Sequence, residues 1–295
     1  MAVFTATPIT VDGTLLDSLA WAVESKTKTM PGSRGADMPM AGVDGVAASL
    51  NDDYQGSLLT LGMFLRGTDQ NGVVPANTNA IAQCRQNLDD LLFLFSKKHG
   101  LMDVREDIGD GTIRQAWCKL AEDPVTPTII AGGAARFQVL LTLPDAFWQD
   151  VAVTEWTQAG VVAGNTYTVP PLTGGNAPVS DAVVLVTGPA NNPVVTDVTT
   201  SAYVKLNRVL AAGESWRLNC GTWATQYGTG LSLGSADTSG SSGDPYTESG
   251  GGNARFLRLV PSYVAGARTV RVTVSGAGFT SATAISVRAR RKYLQ

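Results

Sequence analysis

Histidine is nearly absent from this 295-residue chain, with His99 the only one, and cysteine is scarce, with Cys84, Cys118 and Cys220 scattered along it. One imidazole and three dispersed thiols cannot supply the ligand spacing of a zinc site. An odd, scattered cysteine set also argues against a disulfide framework and suits a protein made in a reducing cytoplasm. Charge is low, at 16% of residues, and the net charge of −3 leaves no basic footprint for nucleic acid. The longest apolar run, around Leu91 to Phe95, is far too short to span a bilayer, so no membrane insertion is expected. No basic stretch precedes an apolar one at the N-terminus, so no signal peptide is read.

Catalytic constellations are missing too. Gly230-Leu231-Ser232-Leu233-Gly234 fits the G-x-S-x-G pattern of a nucleophile elbow. That motif needs a strand–turn–helix setting and a histidine later in the chain, and His99 lies upstream. His99 at a helix end is better read as a capping cation than as a base. Asp103, Asp107 and Asp110, and the pair Asp52-Asp53, lack the alternating spacing of a calcium loop and read as solvated turn carboxylates. No glycine loop with its lysine is present to cradle phosphate. The expectation is a protein without enzymatic chemistry, metal or cofactor.

What is abundant is glycine, with 32 residues, beside an apolar share of 44%. Low charge with much Gly, Thr, Val and Pro is what short strands joined by tight turns require. Asp12-Gly13 between Pro8–Val11 and Thr14–Leu16 is a hairpin signal, because primed turns need positive φ. Strands are expected over Leu19–Lys28 and Leu58–Leu65. Between them Met30–Asp53 is polar, glycine-rich and too long for a simple turn, which suits a segment that reaches a neighbour. One amphipathic helix is expected over 77–98, with Ile81, Cys84, Leu88, Leu91, Leu92 and Phe95 on its stripe. Asn77 or Thr78 would cap it, and Lys97, Lys98, His99 and Gly100 would end it. Leu101–Ile108 and Thr112–Ala121 flank Gly109-Asp110-Gly111 as a second hairpin. Arg136–Leu143 alternates, with Phe137, Val139, Leu141 and Leu143 on one face. A composition shift near 150 gives two domains, 1–150 and 151–295. The second carries no helical period, only short strands: Val183–Thr187, Tyr203–Leu206, Ser215–Cys220, Arg255–Val260, Thr269–Val274 and Ala284–Arg290. Such spacing suggests a β-sandwich, with Gly234–Gly252 as a mobile surface loop. The fold class is therefore mainly β, an α+β N-terminal domain with one helix followed by a sandwich.

Two features could bind. Trp223, Tyr227 and Tyr246 could stack on sugar rings or anchor a protein partner, whereas Trp216, alternating with Leu218 and Cys220, reads as core. Arg288 and Arg290 should face away from Ile285 and Val287; a solvated outer face is the plain reading, and docking onto an acidic neighbour is the alternative.

The order of these pieces resembles the distal tail proteins, or minor tail proteins, of long-tailed siphoviruses. The likeness rests on the Asp12-Gly13 hairpin, the segment Gly35–Gly45, the helix Ile81–Phe95 with its following strands, and the strand ending Leu141–Trp148. In the second half it rests on Val184–Pro193 and Leu210–Glu214, which are similar to the family's galectin-like sandwich. The stretch 234–252 has no match in that pattern. The resemblance implies a homo-oligomeric ring, typically six subunits, in the virion at the tail tip. The N-terminal domain, tail-tube-like, would form the ring against the tail tube protein. The outward-facing sandwich would hold tail-tip or baseplate hub and receptor-binding proteins. A mildly acidic ring also suits DNA passing through without specific binding. The alternative is a carbohydrate-binding module gripping cell-wall glycan through Trp223, Tyr227 or Tyr246.

Overall fold

The computed structural model describes residues 8–32, 38–39, 46–47, 54–96, 100–121, 125–130, 132–237, 247–250 and 257–295. They form two compact units that part between Val151 and Ala152, with Leu294–Gln295 belonging to the first and the stretch Asp37–Asn51 to the second.

The first unit opens with β1 (Ile9–Val11) and β2 (Thr14–Leu15), paired Val11 to Thr14. Their two-residue loop has φ of 47° at Asp12 and 83° at Gly13, the left-handed pair that a primed hairpin turn demands. β3 (Trp21–Lys28) follows; next in the chain, the short ladder of β4 (Met38–Pro39) and β5 (Val46–Ala47) belongs to the second unit, and β6 (Ser57–Arg66) returns to the first. After the helix α1 (Ala80–Phe95) come β7 (Met102–Asp107), β8 (Ile113–Leu120), β9 (Thr128–Ile130), β10 (Ala134–Leu143) and β11 (Trp148–Asp150). The strand order is β2-β1-β7-β8-β10-β6-β3, with β9 added beside β10 and β11 beside β8. The spine is β10 against β6, in register from Ala134 opposite Arg66 to Leu143 opposite Ser57. Alternation then puts Phe137, Val139, Leu141 and Leu143 in the core with Leu59, Leu61, Met63 and Leu65.

The helix, Ala80–Phe95, lies within the expected span 77–98 and covers the whole apolar stripe from Ile81 to Phe95. Its cap is Asn79, whose side chain accepts from Ala82 N, and not Asn77 or Thr78. The buried stripe is Gln83, Cys84, Asn87, Leu91 and Phe95, while Ile81 is 54% and Phe93 82% exposed. Two amides displace the expected Ile81 and Leu88 from the centre of that stripe for a physical reason. Asn87 Nδ2 donates to the carbonyls of Arg66, the last residue of β6, and of Thr68 just past it, and Gln83 Nε2 donates to Asn87 Oδ1. These bonds satisfy main-chain acceptors that a leucine would strand without partners. Lys97, Lys98, His99, Asp52 and Asp53 lie outside the described residues, as does most of Met30–Asp53.

The second unit contains β12 (Thr154–Ala159), β13 (Thr166–Thr168), a 3-10 turn at Pro170–Leu172, β14 (Val183–Thr187), β15 (Ala190–Asp197), β16 (Tyr203–Leu206) and β17 (Val209–Leu210). It continues with β18 (Glu214–Asn219), β19 (Ala224–Thr229), β20 (Thr247–Gly250), the hairpin β21 (Ser262–Val264) and β22 (Ala267–Thr269), β23 (Arg271–Ala277), β24 (Ala284–Ala289) and β25 (Lys292–Tyr293). One sheet runs β12-β24-β14-β18-β19 and the other β13-β23-β15-β16-β20, with β17 paired to β15. Both send side chains into one core. Val184, Val186, Trp216, Leu218, Ile285 and Val287 come from the first sheet, and Val195, Val204, Leu206, Val272 and Val274 from the second. Two aligned layers around a shared apolar core make a β-sandwich, and the chain as a whole is mainly β.

Two expectations fail here. The strand placed over Arg255–Val260 is, within its described part, a single bridge between Leu259 and Val179. Leu257 and Leu259 are fully buried all the same, so apolar burial mimicked a strand pattern. The stretch taken as a mobile loop contains β20, which pairs with β16 from Thr247 opposite Leu206 to Gly250 opposite Tyr203. An edge strand needs few apolar anchors of its own, which is why its composition hid it.

Candidate functional site

The most developed polar arrangement lies on the outer face of the five-stranded sheet. Its sequence origin is the alternation of β18. Trp216 and Leu218 point into the core, so Ser215, Arg217 and Asn219 point outward. Register brings Gln226 of β19 beside Arg217. The outer face is nevertheless not solvated: Arg217 is 3% exposed. A strap, Gly230–Asp237, follows β19 and ends in Asp237, which Arg217 engages. Arg217 Nη1 donates to Asp237 Oδ1 at 2.6 Å, while Asn219 Nδ2 and Thr222 Oγ1 each donate to Oδ2 at 2.8 Å. Gln226 Nε2 donates to the carbonyl of Ala236 at 3.0 Å. Burial acts to raise the Asp237 carboxyl, but these hydrogen bonds and the Arg217 charge outweigh it and hold it below the usual carboxylate range.

The strap includes the G-x-S-x-G stretch, and its geometry excludes the elbow. Ser232 and Ser235 share a hydroxyl contact at 3.3 Å, and no helix follows among the described residues. Among the described residues the aromatic candidates are not brought together as a platform. Trp216 is core, as expected, at 1% exposure. Trp223 is half-buried and packs against the sandwich core, with φ of 59° at the turn into β19. Tyr227 is 38% exposed, and the Arg208 guanidinium lies 4.1 Å from its ring centroid. Tyr246 lies outside the described residues. Arg288 does face away from buried Ile285 and Val287, but it has partners: Glu155 across the β12–β24 ladder at 3.5 Å, and the carbonyl of Leu233 at 3.5 Å. Arg290 lies just past the end of β24 and is half-buried.

The first unit holds a charged cluster that composition gave no hint of. A bulge between Val23 and Ser25 shifts β3 so that Lys26 and Lys28 stand opposite core residues Leu61 and Leu59. Both ammonium groups bind the Glu106 carboxylate, whose side chain is 4% exposed, and Lys28 also lies 4.1 Å from the Trp148 ring centroid. Burial acts to raise Glu106, but hydrogen bonds and charge from both lysines outweigh it and hold it low; burial pulls Lys28 down. Among the described residues no group of His, Cys, Asp and Glu could hold a metal ion, and no helix is long and apolar enough to cross a membrane. Cys118 and Cys220 are pushed up to about 12 by burial, with nearby Asp103 and Asp181 adding to it, which makes them inert thiols.

No family model matches the chain, and neither does any curated protein. Among solved structures, the Dit (gp 19.1) protein of phage SPP1 aligns with 97% of this chain and 99% of its own, at TM-score 0.58 and 11% identity. The chain has the fold of that Dit protein. SPP1 Dit is described as a paradigm of the hub adsorption apparatus in phages that infect Gram-positive bacteria. A structure of the activated baseplate of phage p2 also aligns, over 97% of this chain and 98% of the other, at 8% identity and TM-score 0.38. A fructofuranosidase from Schwanniomyces occidentalis aligns over 88% and 59%, at 9% identity and TM-score 0.20. Scores that low carry no argument. The Dit fold is the one expected from the order of elements, reached here from coordinates instead.

Proposed function

We propose that the chain is a structural subunit of a phage tail tip. Copies form a ring, six by analogy with distal tail proteins, that joins the tail tube to the tip or baseplate. The first unit makes the ring and the sandwich faces outward to hold hub or receptor-binding proteins. The observation that carries this is the end-to-end likeness to SPP1 Dit, which spans both units and not a single common β-module. The charge census supports it: a net −3 chain repels the phosphate backbone of DNA passing through a channel. Among the described residues nothing in the site geometry favours the carbohydrate reading, because Trp223 is packed on the core and Tyr227 carries Arg208 beside its ring.

Multi-angle light scattering of the purified full chain tests the reading. A mass of several copies, six on the family analogy, is expected. A strict monomer at high concentration, unchanged by added tail tube protein, would overturn it.

A further inference from the structure

The outer face of the five-stranded sheet has more donors than its own strap uses. Arg217 sits mid-strand with 4% of its side chain exposed, and its Nε is buried without a hydrogen-bond partner among the described residues. Such a group costs free energy unless something engages it. Its Nη1 already reaches both Asp237 and, at 3.3 Å, Gln226 Oε1. The strap itself is tied to the sheet through side chains: Arg217, Asn219, Thr222 and Gln226 near its end, and Arg288 to the Leu233 carbonyl in its middle. Gly230 begins it at φ of 74°, and exposed Gly234 interrupts it.

We propose that Arg217, Asn219, Thr222 and Gln226 form a carboxylate-binding site for an acidic peptide segment of a partner protein, which the Gly230–Asp237 strap occupies in cis. The favoured class is a peptide because the donor set reads two features at once. Three donors take the aspartate side chain, and the fourth takes the main-chain carbonyl of the residue before it. A sugar acid offers the first feature without the second. Naming a partner protein as the trans occupant rests on the structural role proposed above; the site's chemistry does not.

The test uses the full chain carrying Asp237→Ala, with the near-isosteric Asp237→Asn in case the first variant folds poorly. The probe is a synthetic peptide of the Gly230–Asp237 sequence, with glucuronate as the competing acid. Binding to the variant with a rise in melting temperature is expected. Affinity should fall about tenfold or more when the peptide ends in Asn, or when Arg217→Gln is added. Wild-type protein should bind the peptide far more weakly, because its own strap fills the site. Equal binding of the Asp and Asn peptides, or no binding to a folded variant, would overturn the site. A larger rise with glucuronate than with peptide would overturn the assigned class. Light-scattering mass is read separately, so failure here leaves the ring proposal to its own measurement.

Discussion

Glu106→Gln should be among the most damaging single-atom-scale changes in the first unit. The side chain keeps its shape, so packing is conserved, but the carboxylate that two lysines share is gone. Glu106 is 4% exposed, with Lys26 and Lys28 at 18% and 14%, so water replaces little of what is lost. Removing one partner of a buried ion group costs about 3–5 kcal/mol, because the remaining charges stay buried without its compensation. At roughly 2–4 °C per kcal/mol for a unit of this size, the melting temperature should fall by about 6–20 °C. Calorimetry of the full chain measures this. The pH dependence gives a second readout. Glu106 is held below its ordinary value, so the unfolded state binds the proton first as pH falls. Its contribution is therefore fully present above about pH 4.3 and is lost as pH drops through the lower, folded value. Lys28 is depressed, so the unfolded chain holds its proton longer and stability rises with pH between the folded value and about 10.4. Glu106→Gln should remove the Glu106 part of the acid limb and leave the part carried by other lowered carboxylates such as Asp237. Replacing Lys26, Lys28 and Glu106 together by Met should recover much of the loss, as apolar substitution of whole ion groups does. A Glu106→Gln shift under about 1 kcal/mol, against the range given for broken buried pairs, would refute the reasoning.

Other substitutions follow the same logic. Gly67→Ala should cost about 1–3 kcal/mol or more, since its Cβ would stand 1.9 Å from the Ala80 carbonyl oxygen where α1 begins; chemical denaturation reads it. Asn87→Ala should cost about 1–3 kcal/mol by stranding the Arg66 and Thr68 carbonyls, and Asn87→Leu should do no better despite its apolar bulk. Asn79→Ala should lose about 1 kcal/mol of helix capping, with Asn79→Ser nearly silent. Cys118 and Cys220 should not react with a thiol reagent at pH 8 in the native protein and should titrate fully in guanidinium, because their thiolates are suppressed to about 12.

Much of the fold was legible because it obeys local rules. The Asp12-Gly13 turn declares itself by needing two positive φ values. Strand β10 declares itself by strict alternation from Ala135 to Leu143, and β14 by an apolar run bounded by turn residues. Strands β12, β15 and β19 escaped notice because Gln, Thr and Asn dilute their apolar positions, and partners supply the core around them. The candidate sites were less legible for a different reason. Lys26 and Lys28 enter the core through a bulge, and nothing local marks the residue at which a ladder slips. Arg217 was not singled out in the sequence, and its burial depends on a strap that returns over it from beyond the next strand. The aromatic set suggested by closeness in sequence dispersed once the turn at Trp223 sent its ring to the core and left Tyr227 at an edge strand.

Electron microscopy of the purified full chain tests the central claim most directly, because closure and symmetry are seen together. The account predicts closed rings of about six copies around a central channel, with the sandwich units at the periphery. Single copies at the same concentration, or open filaments without closure, would contradict it.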